Sequence, residues 1–294
     1  MSNRFRSKLA AVTTTTIWGV SFMFSKIALN YADPLLLLAW RFALAFFLMN
    51  VVRLALRVRF DFSGKPVRKL ILLGFLEPVV YFFCESYGVM HSTATFSGVM
   101  IALIPIAALI AGSVFLRERP TVLQAFFSVL SVTGVILMSV GPGSGLATAA
   151  GAVLMTGAVI SAAAYMLLSR SISGFFSPFE RTYCMFALGF VVFMASALIR
   201  VRGSLALLTA PLYHTPFLTA VLFLGILASV VAFFCQNYYV TYLTVPEAVV
   251  FSNLTTVVSI IAGVLILHDP FTVLTIPAAL MIIAGVVGVQ LTGE

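Results

Sequence analysis

Residues 82–123 read FFCESYGVMHSTATFSGVMIALIPIAALIAGSVFLRERPTVL, and residues 233–274 read FFCQNYYVTYLTVPEAVVFSNLTTVVSIIAGVLILHDPFTVL. Shifted by 151 positions, the two lie over each other without a gap. About fifteen of the forty-two positions are identical, among them Cys84 with Cys235, Tyr87 with Tyr238, Gly112 with Gly263 and Leu116 with Leu267. A fixed-period echo of this kind marks a duplicated structural unit.

The solvent of that unit follows from composition. The chain has 294 residues, of which 62% are hydrophobic and 9% charged, with a mean hydropathy of +1.14. A soluble domain carries roughly a quarter charged residues, so the surroundings of this chain are lipid. Apolar runs of the length that crosses a ~30 Å hydrocarbon core recur at 8–29, 35–55, 69–90, 94–116, 121–140, 148–169, 178–199, 214–240, 246–267 and 271–290. The first run follows Arg4, Arg6 and Lys8 as a signal peptide would. It is a full span carrying Trp18 and Lys26, with no small-residue cleavage site, and reads as a retained helix. Cys84, Cys184 and Cys235 lie inside apolar runs, where they act as small hydrophobes rather than a disulfide framework.

Charge sets the orientation. With the N-terminus inside and the runs alternating, Arg4, Arg6, Lys8, Arg53, Arg57, Arg59, Lys65, Arg68, Lys69, Arg117, Arg119, Arg170 and Arg181 collect on the inner side, while Lys26, Arg200 and Arg202 fall outside. The bias places both termini in the cytoplasm, with Arg200 and Arg202 against it. Five helices per half puts the duplicated stretches in opposite senses. Accordingly Arg117-Glu118-Arg119 in the first copy becomes His268-Asp269-Pro270 in the second, where the loop faces out. The expected fold is an all-α polytopic membrane protein with ten transmembrane helices in two inverted five-helix repeats, residues 1–145 and 146–294, an architecture common among secondary transporters. Earlier parts of the halves match at an offset of 144, with Ser25-Lys26 over Ser169-Arg170 and Pro34 over Pro178. Gly141-Pro142-Gly143-Ser144-Gly145 separates the halves as an external hinge.

Ten spans in two halves, Trp18-Gly19 with Lys26 beyond, Trp40-Arg41-Phe42 in the second span, and Leu103-Ile104-Pro105 leading to Phe115-Leu116-Arg117-Glu118-Arg119 resemble the EamA family of the drug/metabolite transporter superfamily. The resemblance covers nearly the whole chain. It implies an inner-membrane carrier, usually an exporter of amino acids or related metabolites, with a central cavity between the halves. Asp269 stands where a glutamate is common and Thr256 where the first half has Pro105, so the halves are unequal.

Ionisable groups at bilayer depth are costly and mark functional sites or paired structural ones. Glu77, Tyr81, Glu85 and Gly88 follow helical spacing and should line one face of the third span, toward a cavity. Arg41 and Glu85 fall at similar depth on neighbouring spans. They are either a static pair or a site in which Glu85 receives an amino group or a coupling proton while Arg41 or Lys26 holds a carboxylate. Glu85 aligns with Gln236, so the charge occurs on one side of the pseudo-symmetry only. Trp18, Trp40, Tyr81, Tyr87, Tyr165 and Tyr238 are candidate cavity aromatics or interfacial anchors. Gln236, Asn237 and Asn253 can bond a ligand or hold helices together. Pro78 and Pro105 interrupt helices and are candidate hinges. Thr244-Val245-Pro246-Glu247 reads as a capping box, and Asp269-Pro270 as the N-cap and first-turn proline of the last span.

The expected function is secondary transport of a small amphipathic metabolite, most simply an amino acid, by alternating access and in the export direction. The alternatives are uptake or efflux of an organic cation or drug by the same fold, or, in another class, an intramembrane enzyme or structural membrane partner. HExxH, GxSxG, paired metal ligands and a phosphate loop do not occur in the sequence, so neither catalysis nor a cofactor is expected. The expected partners are a small-molecule substrate, the lipid bilayer and protons, without nucleic acid, in a monomer or homodimer.

Overall fold

A computed structural model describes residues 3–104, 106–107, 110–111, 121–140, 147–242, 245–270 and 273–292. Pro105, Arg117-Glu118-Arg119 and the Gly141–Gly145 hinge lie outside the described residues, as do the side chains of Tyr238 and Asn253. Among the described residues the chain is all helical, with no β-strand.

The helices are α1 (Asn3–Leu29), α2 (Pro34–Ala55), α3 (Val67–Gly74), α4 (Tyr81–Met90), α5 (Ala94–Ile101), α6 (Val122–Val140), α7 (Ala149–Ile172), α8 (Pro178–Arg200), α9 (Leu205–Thr209), α10 (Thr215–Leu222), α11 (Ala232–Tyr242), α12 (Val245–Ile266) and α13 (Thr275–Leu291). A wider, π-helical segment, Phe223–Val231, joins α10 to α11 end to end, and Phe75–Val80 joins α3 to α4 across a kink at Glu77. Among the described residues, four stretches are long and apolar enough to cross a bilayer: Pro34–Ala55, Ala149–Ser169, Pro178–Arg200 and Thr215–Gln236. The short α9, followed by a 3-10 turn at Ala210–Tyr213, occupies a stretch that reads as loop in the sequence.

Helix starts follow local chemistry. Asp33 caps α2 by accepting from Leu35 N, with Pro34 in the first turn. Ser177 and Glu180 close a reciprocal capping box at α8, with Pro178 in the first turn. These two starts are the Pro34/Pro178 match at offset 144. Asp269 behaves differently from its expected role. Helix α13 begins later, at Thr275, and the Asp269 carboxylate accepts from Thr95 N at 2.9 Å, at the start of α5. It is a cap, but of a helix from the other half of the chain.

Packing crosses the midpoint of the chain throughout. α1 lies against α11 and α12, α2 against α8, α4 against α7, α5 against α12, and α6 against α13. The contacts are tight and carry polar glue, as expected where lipid provides no hydrophobic drive between helices. Ser131 Oγ donates to Ile282 O at 2.8 Å, and Ser259 Oγ donates to Ala94 O at 2.8 Å. Large apolar side chains such as Phe47, Phe126, Val191 and Leu265 are exposed, while Ser131, Ser259 and Thr14 are buried. That distribution suits a lipid surround.

Of Arg200 and Arg202, the two cations against the expected charge bias, the first has a partner. Arg200 Nε pairs with Asp33 Oδ2 at 3.3 Å, so its charge is answered locally. Lys65 pairs with Glu180 at 3.1 Å.

At the α6–α13 contact, a Cβ on Gly285 would meet Phe127 O at 2.5 Å and Ser131 Oγ at 2.6 Å, whereas one on Gly174 meets nothing within 4 Å. Gly285→Val is therefore expected to destabilise the protein by about 1–3 kcal/mol. Gly174→Ala should leave the melting temperature in detergent unchanged, and thermal unfolding of the two variants checks the contrast.

Candidate functional site

The centre of the bundle holds a charged group of each sign. Arg41 on α2 is 4% exposed and Glu85 on α4 is 3% exposed. The ion pairs among the described residues are Lys65–Glu180 and Arg200–Asp33, so Arg41 and Glu85 do not form the direct pair that their depth suggests. Arg41 instead donates from Nε to Ser229 Oγ at 3.3 Å, and its guanidinium lies 4.3 Å from the centre of the Phe82 ring. Glu85 Oε2 is buried without a hydrogen-bond partner among the described residues. The Arg41 charge nevertheless acts on Glu85, Tyr81 and Glu77 together, which places all four in one electrostatic neighbourhood.

Ser229 escapes a reading of the sequence. It is one serine in an apolar run, and at the 151-residue offset it stands where the first half has Pro78. That offset is the signal that could have found it.

The third span departs from a continuous helical face. Pro78 has no N–H, and Glu77 leaves helical geometry at φ −138°, ψ 115°, with the Glu77–Pro78 peptide cis. The spacing that puts Glu77 in register with Tyr81 and Glu85 is thereby broken, and Glu77 is only half-buried. Tyr81, Glu85 and Gly88 continue on α4, where a Cβ on Gly88 would meet Met155 Sδ at 2.7 Å. That end of the stripe is a helix contact with α7.

Aromatic rings from distant parts of the chain surround the charges. Phe42, Tyr81, Phe82, Phe186 and Phe233 form one buried cluster, with Trp18 and Tyr165 packed against it. Trp18 meets Phe233 edge-on at 5.7 Å and donates from Nε1 to Ala228 O at 3.0 Å. Tyr165 on α7 is half-buried and lies within electrostatic reach of Glu77. Gln236 is half-buried on α11, and Asn253 falls on α12. A pocket of about 260 Å³ lies at the α2 and α8 ends, lined by Met49, Ser177, Phe179, Thr182 and Phe233 among others. Phe233 thus touches both the cluster and the pocket.

Lys26 falls outside this group. Its Nζ donates to Val89 O, Met90 O and Ser92 O, the carbonyls at the end of α4. A cation there satisfies the helix C-terminus and its dipole. It does not stand beside Arg41 as an alternative anchor.

An all-helical chain with apolar helices and apolar side chains on its outer surface is that of a multi-pass membrane protein. The sequence pattern of the EamA-like transporter family matches residues 6–140 and again 149–291. The chain belongs to that family. It is similar to "Uncharacterized transporter YcxC" of Bacillus subtilis (strain 168), at 34% identity over 290 residues, covering 97% of this chain and 93% of that one. It is also similar to a "Probable terminal-alkyne amino-acid exporter" of Streptantibioticus cattleyicolor, at 22% identity over 280 residues, covering 95% of this chain and 90% of that one. A solved crystal structure, 16% identical, superimposes with a TM-score of 0.68 over 98% of both chains, a likeness of fold alone.

Lys26→Met removes the donors to three carbonyls without touching the Arg41–Glu85 neighbourhood. It is expected to lower the melting temperature by the equivalent of about 1–3 kcal/mol. Ligand affinity, read from ligand-induced thermal shifts on the same preparations, should stay at the wild-type value.

Proposed function

We propose that the protein is a secondary carrier for a small dipolar metabolite, an amino acid or a close relative, working by alternating access in the export direction. In this reading the apolar stretches make ten membrane-spanning helices in two inverted five-helix units, residues 1–145 and 146–294. Both termini face the cytoplasm across the inner membrane. Membership of the EamA-like family and the exporter named among the relatives support the class. The offset of 151 and the loss of both arginines in the outer loop support the inverted arrangement.

The observation that carries the reading is the pair of buried, opposite and unjoined charges. A buried carboxylate with an unpartnered oxygen is costly and is normally satisfied by something. Here Glu85 Oε2 has no partner among the described residues, while Arg41 is held by Ser229 and Phe82. A zwitterion meets both charges at once: its ammonium takes the Glu85 carboxylate and its carboxylate takes the guanidinium. Tyr81, Trp18 and the surrounding phenylalanines supply an apolar wall for the side chain. Tyr165 and Gln236 stand at the margins, and Glu77 is a second acid from which a proton could be exchanged. Any concentrative transport would draw on substrate or proton gradients.

Glu85→Gln keeps the shape and removes the charge. Counterflow of labelled amino acids in proteoliposomes is expected to fall about tenfold or more, the loss of one charge-assisted hydrogen bond. Unchanged exchange with its pH dependence intact would exclude Glu85 from both substrate binding and coupling. Substrate returned chemically altered would point to an enzyme instead.

A further inference from the structure

The pocket of about 260 Å³ runs between three helices. On α2 it is walled by Met49, on α8 by Pro178, Phe179 and Thr182, and on α11 by Phe233 and Phe234. Pro178 and Phe234 are exposed, so it opens sideways, onto the surface that meets lipid in a membrane protein. Its hydroxyls are engaged within α8: Thr182 Oγ1 donates to Pro178 O at 2.9 Å, and Ser177 Oγ accepts from Glu180 N at 3.1 Å. The wall that remains is hydrocarbon. A dipolar metabolite would lose its water there without replacement, whereas a hydrocarbon chain would lose nothing.

A cation stands at the mouth of this pocket. Arg53 lies in the last turn of α2, one turn beyond Met49 and so roughly 6 Å further along the helix. Its guanidinium is held against two rings, 5.0 Å from the centre of Phe60 and 5.8 Å from that of Tyr183. Phe179, in the pocket wall, lies 6.1 Å from Phe60 and 6.3 Å from Tyr183, so one aromatic surface runs from the pocket to Arg53. Tyr183 is itself pinned to α2, donating to Asn50 Oδ1 at 2.8 Å. No carboxylate answers Arg53, since the ion pairs among the described residues are Lys65–Glu180 and Arg200–Asp33. The stretch that follows adds Arg57, Arg59, Lys65, Arg68 and Lys69 against the single acid Asp61.

We propose that this is a lipid site: the pocket takes one acyl chain of an anionic phospholipid, and Arg53 takes its phosphate. A chain that enters from the bilayer exchanges one apolar surrounding for another, so the pocket alone gives little preference among lipids. The head group gives it, and a guanidinium at the end of a span, with further cations beside it, favours a net negative one. Phosphate oxygens suit the edge of a guanidinium whose faces rest on rings. Depth agrees, since Arg53 and Pro178 stand at helix ends while Met49 and Thr182 lie one turn in. A chain in the pocket lies against Phe233, whose ring meets Trp18 and Phe186 edge-on, each at 5.7 Å.

The test uses the full chain in nanodiscs of phosphatidylcholine, into which phosphatidylglycerol or phosphatidylcholine with brominated chains is titrated. Bromine quenches tryptophan fluorescence at short range, and Trp40→Phe leaves Trp18, against Phe233, as the sole reporter. The saturable part of the quenching is expected to reach half its extent at about fivefold less phosphatidylglycerol than phosphatidylcholine, the worth of one basic residue facing an anionic head group. Arg53→Gln should abolish that preference and Arg53→Lys retain it. Thr182→Phe fills the pocket and gives up only a bond within its own helix, and it should remove the saturable quenching by both lipids. Lipid adducts counted by native mass spectrometry on the chain with both tryptophans repeat the comparison without the reporter substitution. Equal half-points for the two lipids, a preference that survives Arg53→Gln, or saturable quenching that survives Thr182→Phe would each overturn the proposal. So would quenching relieved by an added amino acid, which would give the pocket to the transported substrate instead.

Discussion

Backbone groups inside a bilayer have no water to turn to, so each one missed by its own helix must be met by another part of the protein. This constraint organises the bundle. At Phe223–Val231 the ladder passes over Ala228 O, and the bond that compensates comes from Trp18, far away in sequence. The same logic places Lys26 on the last carbonyls of α4 and Asp269 on the first amides of α5. Interhelical contacts in this protein are therefore made as much by polar side chains on main-chain atoms as by apolar packing, each bond worth only about 0.6 kcal/mol in lipid.

The central charges are held by the same means. Arg41 is fixed by a hydroxyl from one half and a phenyl ring from the other span of its own half. This leaves Glu85 free of the direct ion pair that would neutralise both. A direct buried pair tends to be a fastener that is hard to open. Separate anchoring keeps the charges apart at the cost of an unsatisfied oxygen, an arrangement suited to a ligand that enters and leaves.

Much of this was legible in the sequence, and the reasons are local. Asp33-Pro34 and Ser177-Pro178 announce helix starts because capping and proline act within one turn. Apolar runs such as 35–55 and 178–199 agree with α2 and α8 because lipid imposes one simple rule on each. Direction of reach was not legible. Arg41 reads as a partner for Glu85 by depth, yet its bond goes to Ser229, 188 residues away. Asp269 reads as the cap of the helix that follows it, yet it caps α5. Lys26 reads as a substrate anchor, yet three carbonyls hold it. Pattern identifies which groups need partners, whereas the crossing of helices decides which partners they find.

The Asp269–Thr95 cap also bears on how a duplicated chain loses its symmetry. In a dimer of identical units the contact would be made twice, once at each end of the assembly. Here the residue in the place of Thr95 in the second copy is Pro246, which has no N–H to give. The reciprocal bond cannot form, whatever faces it. The contact that Asp269 makes with the Thr95 amide therefore has no equivalent through the matching position of the second copy.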